Sequence, residues 1–425
     1  MAEPYRVVII GAGFAGLQVA EHLANTNLEV VLIDRKNYHT FQPLLHQVAT
    51  AELEPEQIAY PIRLLLRNAR NIHFLMADVQ HIKVAERIVV TDYGWFKYDY
   101  LVLATGSTTQ TKKVPGVASH TFTLKTLEDA VNLHHQILRC FERAMQEPNH
   151  ELRQSLLTFV IVGGGATGVE LASSMAEWIR KTLVKDYSIL DCQQIRLVLL
   201  HGGSSLLNSM HPRLQTYTQR HLKRLGIEVY LNTKVSEVLP GAVRIKTGDI
   251  FNAATVVWAT GVTATFPQNM GELPITKNQQ ILVLPTLQVV GHENLYAIGD
   301  IAAIDSDRQP LPRLAAVAVQ QGKFVADNLK RRARGLKPLT FHYRDFGSMV
   351  ILGRHAAAVQ FKSWIFTGFT AWLLWLIVHF VLLRGFRQRW MALFNWLLSY
   401  CLNERVARII LHAPRTEKFL SNSSI

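Results

Sequence analysis

Short, uninterrupted apolar runs alternate along this chain with stretches whose apolar positions recur at helical spacing. The runs at Arg6–Ile10, Glu29–Ile33, Tyr100–Ala104, Thr158–Val162, Ile195–Leu200, Thr255–Trp258 and Leu295–Ile298 read as strands. Helices are predicted over Phe14–Ala24, Ala166–Lys181 and Ala315–Arg332. Strands separated by helices indicate an α/β architecture with parallel sheets. A unit of strand, glycine loop and helix occurs twice, about 150 residues apart.

The first loop, Gly11-Ala12-Gly13-Phe14-Ala15-Gly16, follows a strand directly and opens a helix. Gly11 permits the tight turn, Gly13 lets backbone approach a pyrophosphate, and Gly16 lets helix and strand pack closely. Asp34 ends the next strand, placed to accept hydrogen bonds from a ribose hydroxyl, and Arg35 beside it joins the candidate cofactor contacts. A lone glycine motif is weak, but strand, loop, helix, strand and terminal acid together are strong. The second loop assigns the same three roles to Gly163, Gly165 and Gly168. Here the following strand ends in His201-Gly202-Gly203-Ser204-Ser205, where an NADH site usually carries an acid. The missing carboxylate would not repel a 2′-phosphate, and the turn offers backbone and hydroxyl donors to one. NADPH use and NADH use without the acid both stay open at this point.

Two loops suggest two dinucleotides, and further signatures point to a flavin. Ala104-Thr105-Gly106 and Ala259-Thr260-Gly261 each follow an apolar strand and can return the chain between nested domains. Ala297-Ile298-Gly299-Asp300 is another strand end, whose aspartate can reach the ribityl or pyrophosphate region of a flavin.

Charge changes the picture at the far end. The net formal charge is +13, and the segment from Lys323 onward holds 16 Lys+Arg against 4 Asp+Glu, so nearly all the excess lies there. A near-neutral body with a basic, apolar tail points to an anionic surface as partner. From Trp364 to Leu383 no Asp, Glu, Lys or Arg interrupts the chain; three tryptophans lie within it, and Arg384, Arg387 and Arg389 follow. The length permits a spanning helix, while tryptophans flanked by arginines favour a helix lying in the headgroup region. A buried or dimer-forming helix is the bland alternative. Nucleic-acid binding is not expected, because the aromatics are mixed with aliphatic runs and not with a polar stacking platform. No signal peptide is expected, since the first apolar run leads into Gly11. The three cysteines, Cys140, Cys192 and Cys401, form no CxxC pair and no metal spacing, so no dithiol chemistry and no metal site are expected.

These motifs resemble the type II NAD(P)H:quinone oxidoreductases, within the wider group of flavoproteins with two dinucleotide-binding domains. The more specific parts of the resemblance are Phe41-Gln42-Pro43-Leu44-Leu45-His46-Gln47-Val48-Ala49, the Ala316–Gly322 segment, Tyr343–Met349 and the tail Gly368–Phe394. The resemblance implies bound FAD, NADH or NADPH as donor, a membrane quinone as acceptor, and monotopic attachment, expected at the cytoplasmic face. It implies that Gln320 and Gln321 lie near the flavin and the quinone head group, and that Glu170 lies where nicotinamide and flavin meet. A glutamine amide both donates and accepts, which suits a quinone carbonyl. Glu170 on the first helical turn can simply complement the helix dipole, or supply a proton.

The expected fold is therefore α/β, with two nested Rossmann-like dinucleotide-binding domains plus a C-terminal amphipathic, membrane-binding helical extension. The expected division is 1–120 and 285–340 for FAD, 121–284 for NAD(P)H and 341–425 for the extension. One candidate span cannot build an ion pathway, so electron transfer without proton pumping is expected. Other readings are reduction of a specialised naphthoquinone, reduction of a soluble iron–sulfur protein, and a non-catalytic membrane sensor. Pairing as a homodimer stays open.

Overall fold

The computed structural model describes residues 4–267, 269–270, 273–304, 311–402, 405 and 407–410. Its contacts group the chain into two units: Met1–Thr40, Tyr60–Thr108 and Val262–Asp345 form the first, and Phe41–Ala59, Thr109–Gly261 and Phe346–Ile425 the second. The sequence division assigns residues 41–59 to the FAD part and sets the tail apart, whereas by contacts both belong with the second unit.

The first unit is built on a five-stranded parallel sheet in the order Leu295–Ala297, Tyr100–Leu103, Arg6–Ile10, Glu29–Asp34, Ile72–Met76. The glycine-loop strand is central, and Val7, Val8 and Ile9 are fully buried, as continuous apolar strands in a parallel sheet require. The Phe14–His22 helix packs against Ala315–Ala333. Gly322 makes that approach possible, because a Cβ there would overlap the Ala15 carbonyl.

The second unit repeats the plan with four parallel strands ordered Ile227–Tyr230, Arg196–Leu200, Thr158–Val162, Thr255–Trp258. The Ala166–Trp178 helix follows its glycine loop. The predicted helix runs to Lys181; the α-helix ends at Trp178 and continues as a π-helical turn over Ile179–Leu183, so the expected end falls inside an irregular turn.

The tail differs most from the sequence pattern. The charge-free run from Trp364 to Leu383 is not one helix. It begins as the strand Trp364–Thr367, which pairs with Ala357–Phe361, and only then becomes the helix Gly368–Leu382. Gly368 sits at φ +70°, and Gly385 at φ +79° precedes a second helix, Phe386–Leu402. The break at Gly368 shortens the helical part of the run to 15 residues. Among the described residues, no helix is long and apolar enough to cross a membrane. Ala371, Trp375 and His379, four apart, turn inward, while Phe369, Leu373, Ile377 and Val381 are exposed.

Arg405, beyond the second tail helix, is buried and pins this region to the body of its unit. Its Nη1 donates to the carbonyls of Thr50 (2.8 Å) and Ser174 (3.1 Å). Its Nη2 lies 3.4 Å from Glu52 Oε2 and 3.7 Å from Glu177 Oε2.

Candidate active site

In each unit the glycine loop leaves room where a dinucleotide needs it. Gly11 has φ +101° and Gly163 φ +127°, conformations that exclude a side chain, and a Cβ on Gly16 or Gly168 would overlap the carbonyl of Gly11 or Gly163. By contrast, a Cβ on Gly13 or Gly165 would meet nothing within 4 Å. That open space lies at the N-termini of the Phe14–His22 and Ala166–Trp178 helices, neither of which has a side-chain cap. Helix N-termini with uncapped N–H groups fit a pyrophosphate. Both loops therefore suit a dinucleotide, as the sequence implies. We expect Gly16→Ala to prevent the first unit from folding. Gly13→Ala should fold with little loss of thermal stability yet bind FAD about tenfold or more weakly, because its methyl occupies the ligand's space. Flavin content and melting temperature of the two purified variants check this.

The two loops are held alike and differ in chemistry. The Ala12 N–H donates to Asp34 Oδ2 (2.6 Å), and the Lys36 N–H to Asp34 Oδ1 (2.8 Å). Burial pushes the Asp34 carboxyl up, and these two hydrogen bonds oppose the shift. In the second loop the Gly164 N–H, at the position of Ala12, donates to His201 Nδ1 (3.1 Å). His201 thus replaces the carboxylate as the loop's anchor.

The remaining first-unit candidates surround the same loop strand. Thr105 Oγ1 donates to the Thr265 carbonyl, and Ser107 Oγ donates to Asp300 Oδ2. Gly106 and Gly299 take positive φ, +72° and +74°. The Gly299 N–H donates to Gln321 Oε1 (2.6 Å), so the buried Gln321 is tied to the Gly299-Asp300 turn. Gln320 spends both ends of its amide on the backbone of Arg344: Nε2 donates to the carbonyl (2.9 Å), and Oε1 accepts from the N–H (3.0 Å). Arg35 is exposed, with Nε 3.9 Å from Asp78 Oδ1. In the second unit, Gly261 has φ +46° and its carbonyl accepts from the Gln110 N–H (3.2 Å).

Glu170 is the fifth residue of the Ala166–Trp178 helix, so it stands just past the first turn on which the sequence places it, and no acid lies in that first turn. Its Oε1 accepts one hydrogen bond, from the Ile351 N–H (3.3 Å), and burial pushes its carboxyl up to about 8. Its Oε2 lies 3.8 Å from Nδ1 of His46. Burial pulls the His46 imidazole down to about 3, assisted by the nearby His379 and Arg405. At neutral pH this contact is therefore a protonated carboxyl beside a neutral imidazole, not an ion pair. The Leu45–Ala49 helix that carries His46 is entirely buried, and Gln47 Oε1 accepts from Trp396 Nε1 (2.9 Å) in the second tail helix. Sequence reasoning does not single out His46, Glu52, Glu177 or Arg405; only the Phe41–Ala49 motif points near one of them.

Residues 5–322 match the family model described as pyridine nucleotide-disulphide oxidoreductase. The type II NADH:quinone oxidoreductase Ndh of Mycobacterium tuberculosis is 33% identical over 416 residues, covering 94% of this chain and 89% of that one. The chain belongs to the type II NADH:quinone oxidoreductase family. A further relative is the type II NADH:quinone oxidoreductase of Haemophilus influenzae, 31% identical, covering 83% of this chain and 86% of that one. The fold agrees: the structure of NDH2 from Plasmodium falciparum in complex with NADH matches with a TM-score of 0.86 at 20% identity, covering 96% of this chain and 100% of that one. The wider family's description names disulphide chemistry. In this type II NADH:quinone oxidoreductase, no two cysteines are close in sequence, and burial pushes the Cys140 thiol up to about 11, which leaves it unreactive.

Proposed function

We infer that this protein is a flavoenzyme that takes a hydride from NAD(P)H and delivers two electrons to a quinone. Family membership over nearly the whole chain supports the reaction. The observation that carries the two-dinucleotide reading is the pair of glycine loops, each with open space beside an uncapped helix N-terminus. FAD would be held by Gly11, Gly13, Gly16, Asp34, Thr105, Gly106, Gly299 and Asp300, and NAD(P)H by Gly163, Gly165, Gly168, His201 and Gly261. When bound, FAD supplies the hydride acceptor and the two-electron donor. The net change is NAD(P)H plus one proton plus quinone, giving NAD(P)⁺ plus quinol.

The protein's own contribution is placement and a proton. We propose that Glu170 holds that proton on Oε2, since Oε1 accepts from Ile351. Gln321, buried and tied to Gly299, presents Nε2, which makes no hydrogen bond among the described residues, as a donor for a quinone oxygen. Gln320 acts by fixing the Arg344 backbone. Turnover is not coupled to ion transport. Purified in mild detergent, the protein should oxidise NAD(P)H in a quinone-dependent way; bound FAD without such turnover would count against the reading.

The acceptor side is a membrane surface, at which the tail helices lie in the headgroup region on the cytoplasmic face. Ile377, Val381, Phe386, Trp390, Phe394 and Leu397 are exposed apolar side chains close to Arg384, Arg387 and Arg389. Replacing Ile377, Phe386 and Phe394 by serine should weaken partition to vesicles containing anionic lipid by about 5 kcal/mol, while solution turnover with a short-chain quinone persists. Undiminished flotation of the triple variant would exclude this face as the membrane contact.

A further inference from the structure

The two glycine loops solve one problem with different chemistry, an acid in one and a neutral imidazole in the other. In the first loop the anchor for the N–H after the leading glycine is a carboxylate, Asp34; in the second it is an imidazole, His201. An acid at the end of that strand pairs with a ribose hydroxyl and repels a phosphate in its place. His201 keeps the anchoring hydrogen bond without the negative charge. Burial pulls its imidazole down, so it stays neutral as well as unable to repel an anion. The Ser205 carbonyl faces the ring, yet Nε2 makes no hydrogen bond.

The turn that follows supplies what an anion needs. None of the four backbone N–H groups from Gly202 to Ser205 donates to another described residue. Gly202 and Ser204 are exposed, and Ser204 and Ser205 add hydroxyl donors. The neighbouring loop brings a cation to this turn. Asn232 N–H donates to the Gly203 carbonyl and Thr233 N–H to the His201 carbonyl, both at 2.8 Å. These bonds hold Lys234 so that its side chain runs over Gly202, where a Cβ would meet Lys234 Cγ at 3.1 Å and Cε at 3.7 Å. Lys234 is exposed and in no ion pair among the described residues. Successive free N–H groups, two hydroxyls and an unpaired ammonium form a site for a phosphate dianion.

We propose that the turn from His201 to Ser205, together with Lys234, binds the 2′-phosphate of NADPH and makes NADPH the preferred donor. This rests on reading the second loop as the NAD(P)H site. Lys234 sets specificity through the phosphate and takes no part in the hydride transfer.

Binding and turnover are measured separately, so that this inference and the overall function can fail independently. Adenosine 2′,5′-bisphosphate should bind the holoenzyme about 10- to 100-fold more tightly than AMP, and Lys234→Ala should erase most of that gap. In turnover with a short-chain quinone, Lys234→Ala should raise KM for NADPH by a similar factor while kcat and the NADH parameters stay put. His201→Glu, which can still accept from Gly164, should reverse the donor preference. Equal binding of the two adenosine phosphates would overturn the inference, even in an enzyme fully active with NADH. So would a Lys234→Ala variant that weakens NADH and NADPH alike. Tight binding of the bisphosphate without quinone-dependent turnover would uphold the site and overturn the reaction instead.

Discussion

Glu170→Gln should lower quinone-dependent turnover about a hundredfold and, at the same time, make the protein more stable at pH 8. Both effects come from one buried carboxyl. Its single hydrogen bond, from the Ile351 N–H, does not offset the loss of solvent, so its proton is kept up to about pH 8. A carboxyl protonated at neutral pH can donate, and a positioned general acid is worth about 10²–10⁴-fold. The wild-type rate should therefore fall as pH rises through about 8, and the glutamine variant should lack that limb. His46, 3.8 Å from Glu170 Oε2, cannot replace it, because its imidazole is pulled down to about 3 and is neutral through this range. The stability sign follows from the same shift. Below pH 4.5 the folded and unfolded chains both hold this proton. Between 4.5 and about 8 only the folded chain holds it, so stability declines as pH rises and levels off above 8. A glutamine side chain at this position has nothing to ionise and still accepts from Ile351, so the variant should gain roughly 4 kcal/mol at pH 8. Melting curves and pH–rate profiles of the two proteins check this. An unchanged alkaline limb in the variant would remove Glu170 from the proton's path.

Arg405→Met should cost about 3–5 kcal/mol of stability, since removing one partner of a buried ionic group strands the others. Here the stranded groups are the carboxylates of Glu52 and Glu177 and the carbonyls of Thr50 and Ser174. Burial and the like charge of Glu177 already push the Glu52 carboxyl up, and Arg405 opposes them. Without the guanidinium, folding favours a protonated Glu52 carboxyl more strongly. The deficit should be largest at neutral pH and shrink as pH falls toward the ordinary carboxylate range. Denaturant midpoints across pH test this; a deficit under about 1 kcal/mol at pH 7, or one that grows on acidification, would show that Arg405 does not hold the tail in place.

The parts legible in the sequence are those set by local rules. Glycine spacing after an apolar run fixes the loop geometry, and strand–helix alternation fixes the parallel sheets; both are readable without a partner in view. The tail reads as one continuous apolar length because hydropathy does not register a backbone break. Gly368, at positive φ, cuts it, and the pairing of Trp364–Thr367 with Ala357–Phe361 takes its first residues into a sheet. The proton-bearing cluster is hidden for a different reason. Glu170 is visible as a residue after a glycine loop, but its raised carboxyl depends on burial against segments far away in the chain. His46, Ile351 and Arg405 reach it or its surroundings from three separate stretches. Lys234 escapes notice likewise, as a surface lysine in an unremarkable loop until backbone hydrogen bonds set it over Gly202.

The most direct test of electron flow through this protein is an anaerobic titration of the flavin-loaded enzyme, following the flavin absorbance as NAD(P)H and then a short-chain quinone are added. The absorbance should bleach with one equivalent of dinucleotide and return with one equivalent of quinone. Bleaching that quinone fails to reverse would show that the electrons leave for a different acceptor, and bound FAD that no dinucleotide bleaches would contradict the reaction altogether.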